Sequence, residues 1–191
     1  KSATDYHSEY GYSCMGYEIA GALGVKLADP RREAYTLIGD GSYLMLNHEI
    51  VTAVQEKLKI TIVLTDNHAF GCIHNLQRAN GGRSFGNEFR ARTGRTGRLD
   101  GAAVPVDFMA NARSLGATVL AAHDEKSLRL ALTAARNQAN TCLIYIPVTP
   151  ASGMQGFSWW DVPPAAVSGV PTVRAARAAY DRAKKRQQFY Y

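Results

Sequence analysis

The sequence predicts an α/β protein: a doubly wound parallel sheet with helices on both faces. Three observations carry that prediction. Segments of strand character alternate with segments of helical spacing along most of the chain, which is the pattern of successive βαβ units. Two runs, "KITIVLTDN" (59–67) and "TCLIYIPV" (141–148), are almost continuously apolar, as strands are when helices cover both faces of a parallel sheet. And the chain, at 191 residues and 46% hydrophobic, is long enough to bury a core without cross-links.

The elements follow in order. "MGYEIAGALGVKLA" (15–28) is small and apolar at helical spacing, with glycines that permit close packing. "EAYTLIG" (33–39) reads as a short strand. "LNHEIVTAVQEKL" (46–58) reads as one helix with Ile50, Val51, Val54 and Leu58 on a shared face. The strand at 59–67 follows. Residues 68–104 are rich in Gly, Asn and Arg without clear periodicity, and a loop of that length in a compact domain is usually functional or mobile. "VDFMANARSLG" (106–116) is a helix with a Gly stop, and "ATVLAA" (117–122) a short strand. "DEKSLRLALTAARNQA" (124–139) is a helix with an Asp cap and an acidic first turn. The strand at 141–148 precedes an irregular stretch, 149–171, that holds both tryptophans, and a terminal helix over 171–188 with Pro near its first turn.

Composition narrows the functional classes. No apolar run reaches the roughly 20 residues of a membrane span, and residues 1–13 have no apolar signal core. The chain starts at Lys1 rather than Met, so a part of a longer protein is expected. Cys14, Cys72 and Cys142 are odd in number and widely spaced. That is neither a disulfide framework nor a zinc pattern, and it fits a cytoplasmic setting. The net charge of +6 is concentrated in "RSFGNEFRARTGRTGR" (83–98) and in "RAARAAYDRAKKRQQ" (174–188). A solvated basic surface is the ordinary reading of such runs.

The stretch with the most chemistry is "LIGDGSYLMLNHEI" (37–50). Open α/β sheets bind ligands outside the carboxyl ends of their strands, and Asp40 falls at such an end. The flanking Gly39 and Gly41 leave the backbone free to approach a ligand and to take unusual torsions. Ser42 offers a hydroxyl, and the helix that follows offers its N-terminus to an anion. A carboxylate beside an anion is repulsive unless a divalent cation lies between them, and Mg²⁺ bridges carboxylates and phosphates in this way. The bland alternative is a turn in which Asp40 bonds its own backbone. The second apolar strand favours the cation, because it ends in Asp66 and Asn67. Residues 42–66, 25 positions, separate the Gly-Asp-Gly from Asn67, enough for a helix and a strand to return to the same sheet edge.

Gly-Asp-Gly, 25 residues and then Asn resembles the diphosphate-binding signature of thiamine diphosphate enzymes, and the order of elements agrees with their pyrophosphate-binding domain. The resemblance implies the thiamine diphosphate-binding fold, thiamine diphosphate as cofactor and Mg²⁺ as metal. It implies that Asp40, Asn67 and the backbone carbonyl of Ala69 hold the metal, that Gly41 and Ser42 contact the diphosphate, and that Gly39, Phe70 and Gly71 line the cofactor. Upstream, "GYSCMGYEIAGALG" (11–24) is similar to the family's G-x-G-x-M-G stretch. Met15 then wedges the bent cofactor, the carbonyl of Ser13 accepts from its aminopyrimidine, and Cys14 lies between them. Ser13 departs from the Gly that acetolactate synthases carry there.

The wording at 70–90 and 156–162 is similar to the branch of the family that opens a small cyclic 1,2-diketone by hydrolysis. The resemblance therefore implies residues 1–150 as the pyrophosphate-binding domain and 151–191 as a C-terminal arm and helix. It places the pyrimidine-binding and middle domains outside this chain. The glutamate that activates the cofactor is expected on the pyrimidine-binding domain of a second subunit, in a homodimer or homotetramer. Glu9, Glu18 and Glu49 all fall within the diphosphate domain's own pattern, so this chain alone is expected to be inactive.

Other residues draw weaker expectations. His68 and His74 follow the metal strand and touch either substrate or only their own loop. His48 and Glu49 cap or pack the helix after Ser42. Cys72 is expected to be a small buried filler. The Gly- and Arg-rich segment 78–98 is either a lid over the substrate or a disordered surface loop, and Trp159 and Trp160 cover the site or an interface. Two rivals stand: a different thiamine diphosphate enzyme such as an acetolactate synthase, and a basic module binding nucleic acid through its arginines. The second predicts salt-dependent affinity and lacks the aromatic–basic interleaving of single-strand binders. A dinucleotide-binding domain is disfavoured because no G-x-G-x-x-G follows the first strand.

Overall fold

In the computed structural model, which describes residues 5–8, 14–149 and 163–188, four strands form one sheet with every pairing parallel. They are β1 (Tyr35–Gly39), β2 (Thr61–Asp66), β3 (Thr118–Ala121) and β4 (Cys142–Pro147), in the order β1-β2-β4-β3. The helices are α1 (Tyr17–Ala28), α2 (Asp40–Leu46), α3 (Glu49–Gln55), α4 (Gly71–Ala79), α5 (Phe108–Ser114), α6 (Glu125–Arg136) and α7 (Pro171–Lys184). The described residues fall into two units. One joins the chain up to Asn67 with Pro105–Thr149 and holds the whole sheet; the other joins His68–Val104 with the residues from 163 onward.

Within the first unit the register assigns the faces. Leu37, Val63, Ile144 and Leu120 stand side by side, and Ile38, Leu64, Tyr145 and Ala121 stand on the opposite face. Helix α6 covers the first face: its Ala131 and Ala135 pack with Val63, Cys142 and Ile144, flanked by Leu128 and Leu132. The second face is covered by α1, α2 and α5. On β1 only Thr36 and Ile38 are buried while Leu37 is 71% exposed, so α1 and α2, which both touch β1 and each other, lie over Thr36 and Ile38. The ring of Tyr43 on α2 meets that of Phe108 on α5 edge-on at 5.9 Å, and the Tyr43 hydroxyl donates to Asn111 Oδ1 at 2.7 Å, which sets α5 on the same side. Burial pushes the Tyr43 phenol up to about 12.

The expectation of one helix over 46–58 is corrected. Helix α2 begins at Asp40 itself, and the chain breaks at Asn47–His48 before α3. The break turns the second helix, so α3 buries Ile50 and Ala53 while Val51 and Val54 are 38% and 39% exposed. His48 sits at the N-cap position of α3 without a side-chain cap, and its Nε2 lies 3.4 Å from Glu49. The cap at Asp124 is as expected: its carboxylate accepts from Ser127 N–H at 2.7 Å, and the Ser127 hydroxyl accepts from Asp124 N–H.

The entrance to α1 requires a glycine. Gly16, the residue after Met15, has φ of +95°, and a Cβ there would come 2.9 Å from Leu46 Cβ. A side chain meets both a left-handed backbone and the last turn of α2. Gly16→Ala is expected to cost about 1–3 kcal/mol, read as a lower urea midpoint in equilibrium unfolding.

The second unit is built on local bonds. Phe70 N–H donates to Asn87 carbonyl at 2.7 Å, and Ala69 pairs with Glu88 in an antiparallel bridge. Gln77 Oε1 accepts from Asn87 Nδ2 and Phe85 N–H. Helix α7 is tied back by the Thr172 hydroxyl, which donates to Gly81 carbonyl at 2.5 Å. The stretch 68–104 is thus more ordered than its composition predicts. It contains α4, and Thr93, Thr96 and Asp100 close a small polar turn, so the disordered alternative for 78–98 is set aside.

Candidate metal centre

Strand β1 ends at Gly39, and its pairing with Thr65 of β2 brings the two strand ends together. The residues that follow, Asp40 and Asp66, are 1% and 4% exposed. A carboxylate oxygen of Asp40 lies within 4.8 Å of one from Asp66. Two buried carboxylates this close repel each other and have lost their hydration, which costs several kcal/mol per ion unless it is compensated. Part of the compensation is protein. Asp40 Oδ1 accepts from Gly41 N–H at 3.0 Å, and Asp66 Oδ2 accepts from the Tyr145 hydroxyl at 2.7 Å. Burial pushes the Tyr145 phenol up, and its hydrogen bond to Asp66 and the charges of Asp66, Asp40 and Asp107 push it further. Two of these carboxylates, Asp40 and Asp66, are buried at this sheet edge. In a chain of net charge +6, this edge is acidic.

The donor set tests the implied metal. Hard carboxylate oxygens in a buried setting suit Mg²⁺, and a divalent cation removes the repulsion between Asp40 and Asp66. Gly39 leaves open space beside Asp40, since a Cβ there would meet nothing within 4 Å. The residues present fit the group.

Two details of the sequence expectation change. Neither glycine of the motif takes a positive φ. Gly39 is ordinary extended backbone, with φ of −82° and ψ of 158°, and Gly41 lies in the first turn of α2, so the reason for Gly39 is room and not torsion. The Asp40–Gly41 bond of the bland reading is present, but in the first turn of a helix, with the carboxylate buried.

The predicted residues are distributed as follows. Gly39, Asp40, Gly41, Ser42 and Asn67 gather at the carboxyl ends of β1 and β2 in the first unit. Cys14 is exposed, and Met15 and Gly16 form the turn into α1, packed against the far end of α2. Ala69, Phe70 and Gly71 lie in the second unit. There Ala69 is buried, Phe70 is the N-cap position of α4, and Gly71 is its first residue. Ser13, Glu9, Trp159 and Trp160 lie outside the described residues. Cys72 is exposed, which corrects the buried filler; α4 buries none of its residues. His68 has φ of +56° with its ring 6.4 Å from Phe89. His74 Nδ1 lies 3.0 Å from Ser84 Oγ, and 4.0 Å from Glu88. Burial opposes ionisation of Glu88, but the Ser84 hydroxyl and Arg90 hold its carboxyl below the usual range.

Sequence reasoning missed Asp66 as a second buried carboxylate and Tyr145 as its partner. The signal for Asp66 was present, as a charged residue closing an otherwise apolar strand. Tyr145 carried none, because its role depends on which strand pairs with β2.

These features define a class. The family described as "Thiamine pyrophosphate enzyme, C-terminal TPP binding domain" matches residues 1–146, and the chain belongs to it. Among individual relatives, "3D-(3,5/4)-trihydroxycyclohexane-1,2-dione hydrolase 1" of Bacillus cereus (strain ZK / E33L) is 51% identical over 172 residues, 90% of this chain and 27% of the relative. The hydrolase of the same name from Bacillus thuringiensis (strain Al Hakam) is 50% identical over the same share. The chain therefore spans about a quarter of the length of the curated relatives it matches. Among solved structures, the thiamine diphosphate-dependent 4-hydroxybenzoylformate decarboxylase of Rhodococcus jostii RHA1 superposes with a TM-score of 0.58 at 24% identity, over 71% of this chain and 23% of that one. The benzoylformate decarboxylase of Polynucleobacter necessarius gives a TM-score of 0.54 at 24% identity, over 71% and 24%. These two show the fold alone. No helix among the described residues is long and apolar enough to cross a membrane.

Proposed function

We propose that this chain is the cofactor-binding part of a thiamine diphosphate- and Mg²⁺-dependent hydrolase that opens the ring of trihydroxycyclohexane-1,2-dione, giving 5-deoxyglucuronate in inositol catabolism. The observation that carries the reading is the 51% identity over 90% of the chain to hydrolases of that name. The acidic edge at Asp40 and Asp66 supports the metal. Asp40, Asn67 and the carbonyl of Ala69 would hold it. Gly41 and Ser42 would meet the diphosphate, with Gly39, Phe70 and Gly71 lining the cofactor. Met15 would bend the cofactor, Cys14 would lie against it, and the carbonyl of Ser13 would accept from its pyrimidine amine. Bound there, thiamine diphosphate supplies a carbon nucleophile and an electron sink for breaking the bond between two adjacent carbonyl carbons. The chain's share of the work is to neutralise the diphosphate through the metal and to fix the cofactor's orientation. The activating glutamate would come from the pyrimidine-binding domain of a second subunit in a cytoplasmic homodimer or homotetramer, so the 191-residue chain alone would be inactive.

The test is turnover by the complete subunit. With thiamine diphosphate and Mg²⁺ it should consume the cyclic dione with one equivalent of water and release a carboxylic acid. It should act poorly on pyruvate and benzoylformate. Preferential formation of acetolactate, or decarboxylation of benzoylformate, would move the chain to another branch of the family.

A further inference from the structure

Strand β4 grips the end of β2 at two points. Tyr145 stands in register opposite Leu64, yet its hydroxyl reaches past Leu64 to Asp66 Oδ2, two residues nearer the carboxyl edge, at 2.7 Å. One step beyond the strand pairing, Val148 N–H donates to the Asp66 carbonyl at 2.8 Å. Asp66 is therefore held by its backbone and by its side chain, both from the same neighbouring strand. A hydroxyl donating to a buried carboxylate is a charge-assisted bond, about twice as strong as a neutral one. The next residue in the chain is Asn67.

We propose that Tyr145 is a positioning residue of the metal centre: through Asp66 it fixes the turn that presents Asn67 and sets the stance of the second buried carboxylate beside Asp40. The proposal rests on the cofactor reading above. Without the hydroxyl, Asp66 keeps its charge and loses this charge-assisted bond, so its carboxylate is held less firmly where it stands beside Asp40. That change alters the charge beside Asp40 and the turn that presents Asn67, the two side chains that would hold the metal. Outer-sphere partners of metal ligands act in this way, and their loss typically costs 10–100-fold in metal affinity.

The experiment uses the complete subunit, with Mg²⁺ titrated at saturating thiamine diphosphate and binding followed by calorimetry, and with Mn²⁺ as a paramagnetic probe of the same centre. Tyr145→Phe is expected to raise the half-saturating Mg²⁺ concentration about 10-fold and to change the bound Mn²⁺ spectrum. Because Tyr145 acts through Asp66, adding Tyr145→Phe to Asp66→Asn should shift the half-saturation little further. Cys142→Ala is the control, since it opens a cavity in the same strand under α6, away from the carboxyl edge, and lowers the melting temperature without moving the Mg²⁺ requirement. If wild type binds and Tyr145→Phe matches it, or if Tyr145→Phe and Cys142→Ala shift the requirement equally, Tyr145 is only structural and the proposal is overturned. If wild type itself binds no cofactor at any Mg²⁺ concentration, the cofactor reading fails first and takes this proposal with it.

Discussion

Replacing Asp40 with alanine is expected to abolish magnesium-dependent binding of thiamine diphosphate by the complete subunit. Asp40 is 1% exposed, stands at the start of α2, and shares the end of the sheet with Asp66. Under the proposed function its carboxylate would hold the metal that joins the diphosphate to the protein. Loss of a direct ligand should cost at least as much as loss of an outer partner, on the order of 100-fold or more. Stability should respond differently. The substitution gives up hydrogen bonds such as that from Gly41 N–H, at about 1 kcal/mol each, and in return relieves the repulsion with Asp66. Without metal, the melting temperature should therefore stay near that of wild type. Calorimetric titration at saturating Mg²⁺, with a melting curve of the metal-free protein, reads both effects. Unchanged binding would return Asp40 to the role of a helix-start residue and make the exposed arginines of 83–98 the next place to look.

Phe108→Ala is expected to give the largest loss of stability among single core substitutions, about 3–5 kcal/mol. Phe108 is 1% exposed and its ring meets that of Tyr43, itself fully buried. The pair joins α5 to α2, and α2 begins with Asp40. A cavity there removes the contact that braces the first turn of α2 from below. Because domains carry only about 5–15 kcal/mol in all, the effect should appear in urea unfolding as a midpoint shift of a large fraction. Phe108→Leu, which refills much of the volume, should recover most of it. A loss below about 1 kcal/mol would mean that α5 and α2 are held together elsewhere.

Much of this was legible in the residues. The strands at 59–67 and 141–148 were readable because burial on both faces leaves an unbroken apolar run. The cap at Asp124 was readable because capping is local chemistry. The pairing of the Gly-Asp-Gly end with the Asn67 end followed from a spacing that admits one return to the same edge. Helix α4 was not readable, because its apolar stripe is short, Ile73 and Leu76 with Ala79, and it starts at Gly71 inside a Gly- and Asn-rich stretch. Nor was the break at Asn47–His48, where residues 46–58 keep a helical period through a turn.

The sequence by itself determined which residues are available to bind a metal and on which strand ends they fall, because the order of strands and the period of two along each are properties of the chain. Only the tertiary structure decided that β4, and not β3, lies beside β2. That placement depends on packing between segments about 80 residues apart, which no local pattern encodes. It turned Tyr145 from an ordinary strand tyrosine into the donor to Asp66, one of the two buried carboxylates that the β1–β2 pairing brings within 4.8 Å of each other, a charge arrangement that calls for a cation.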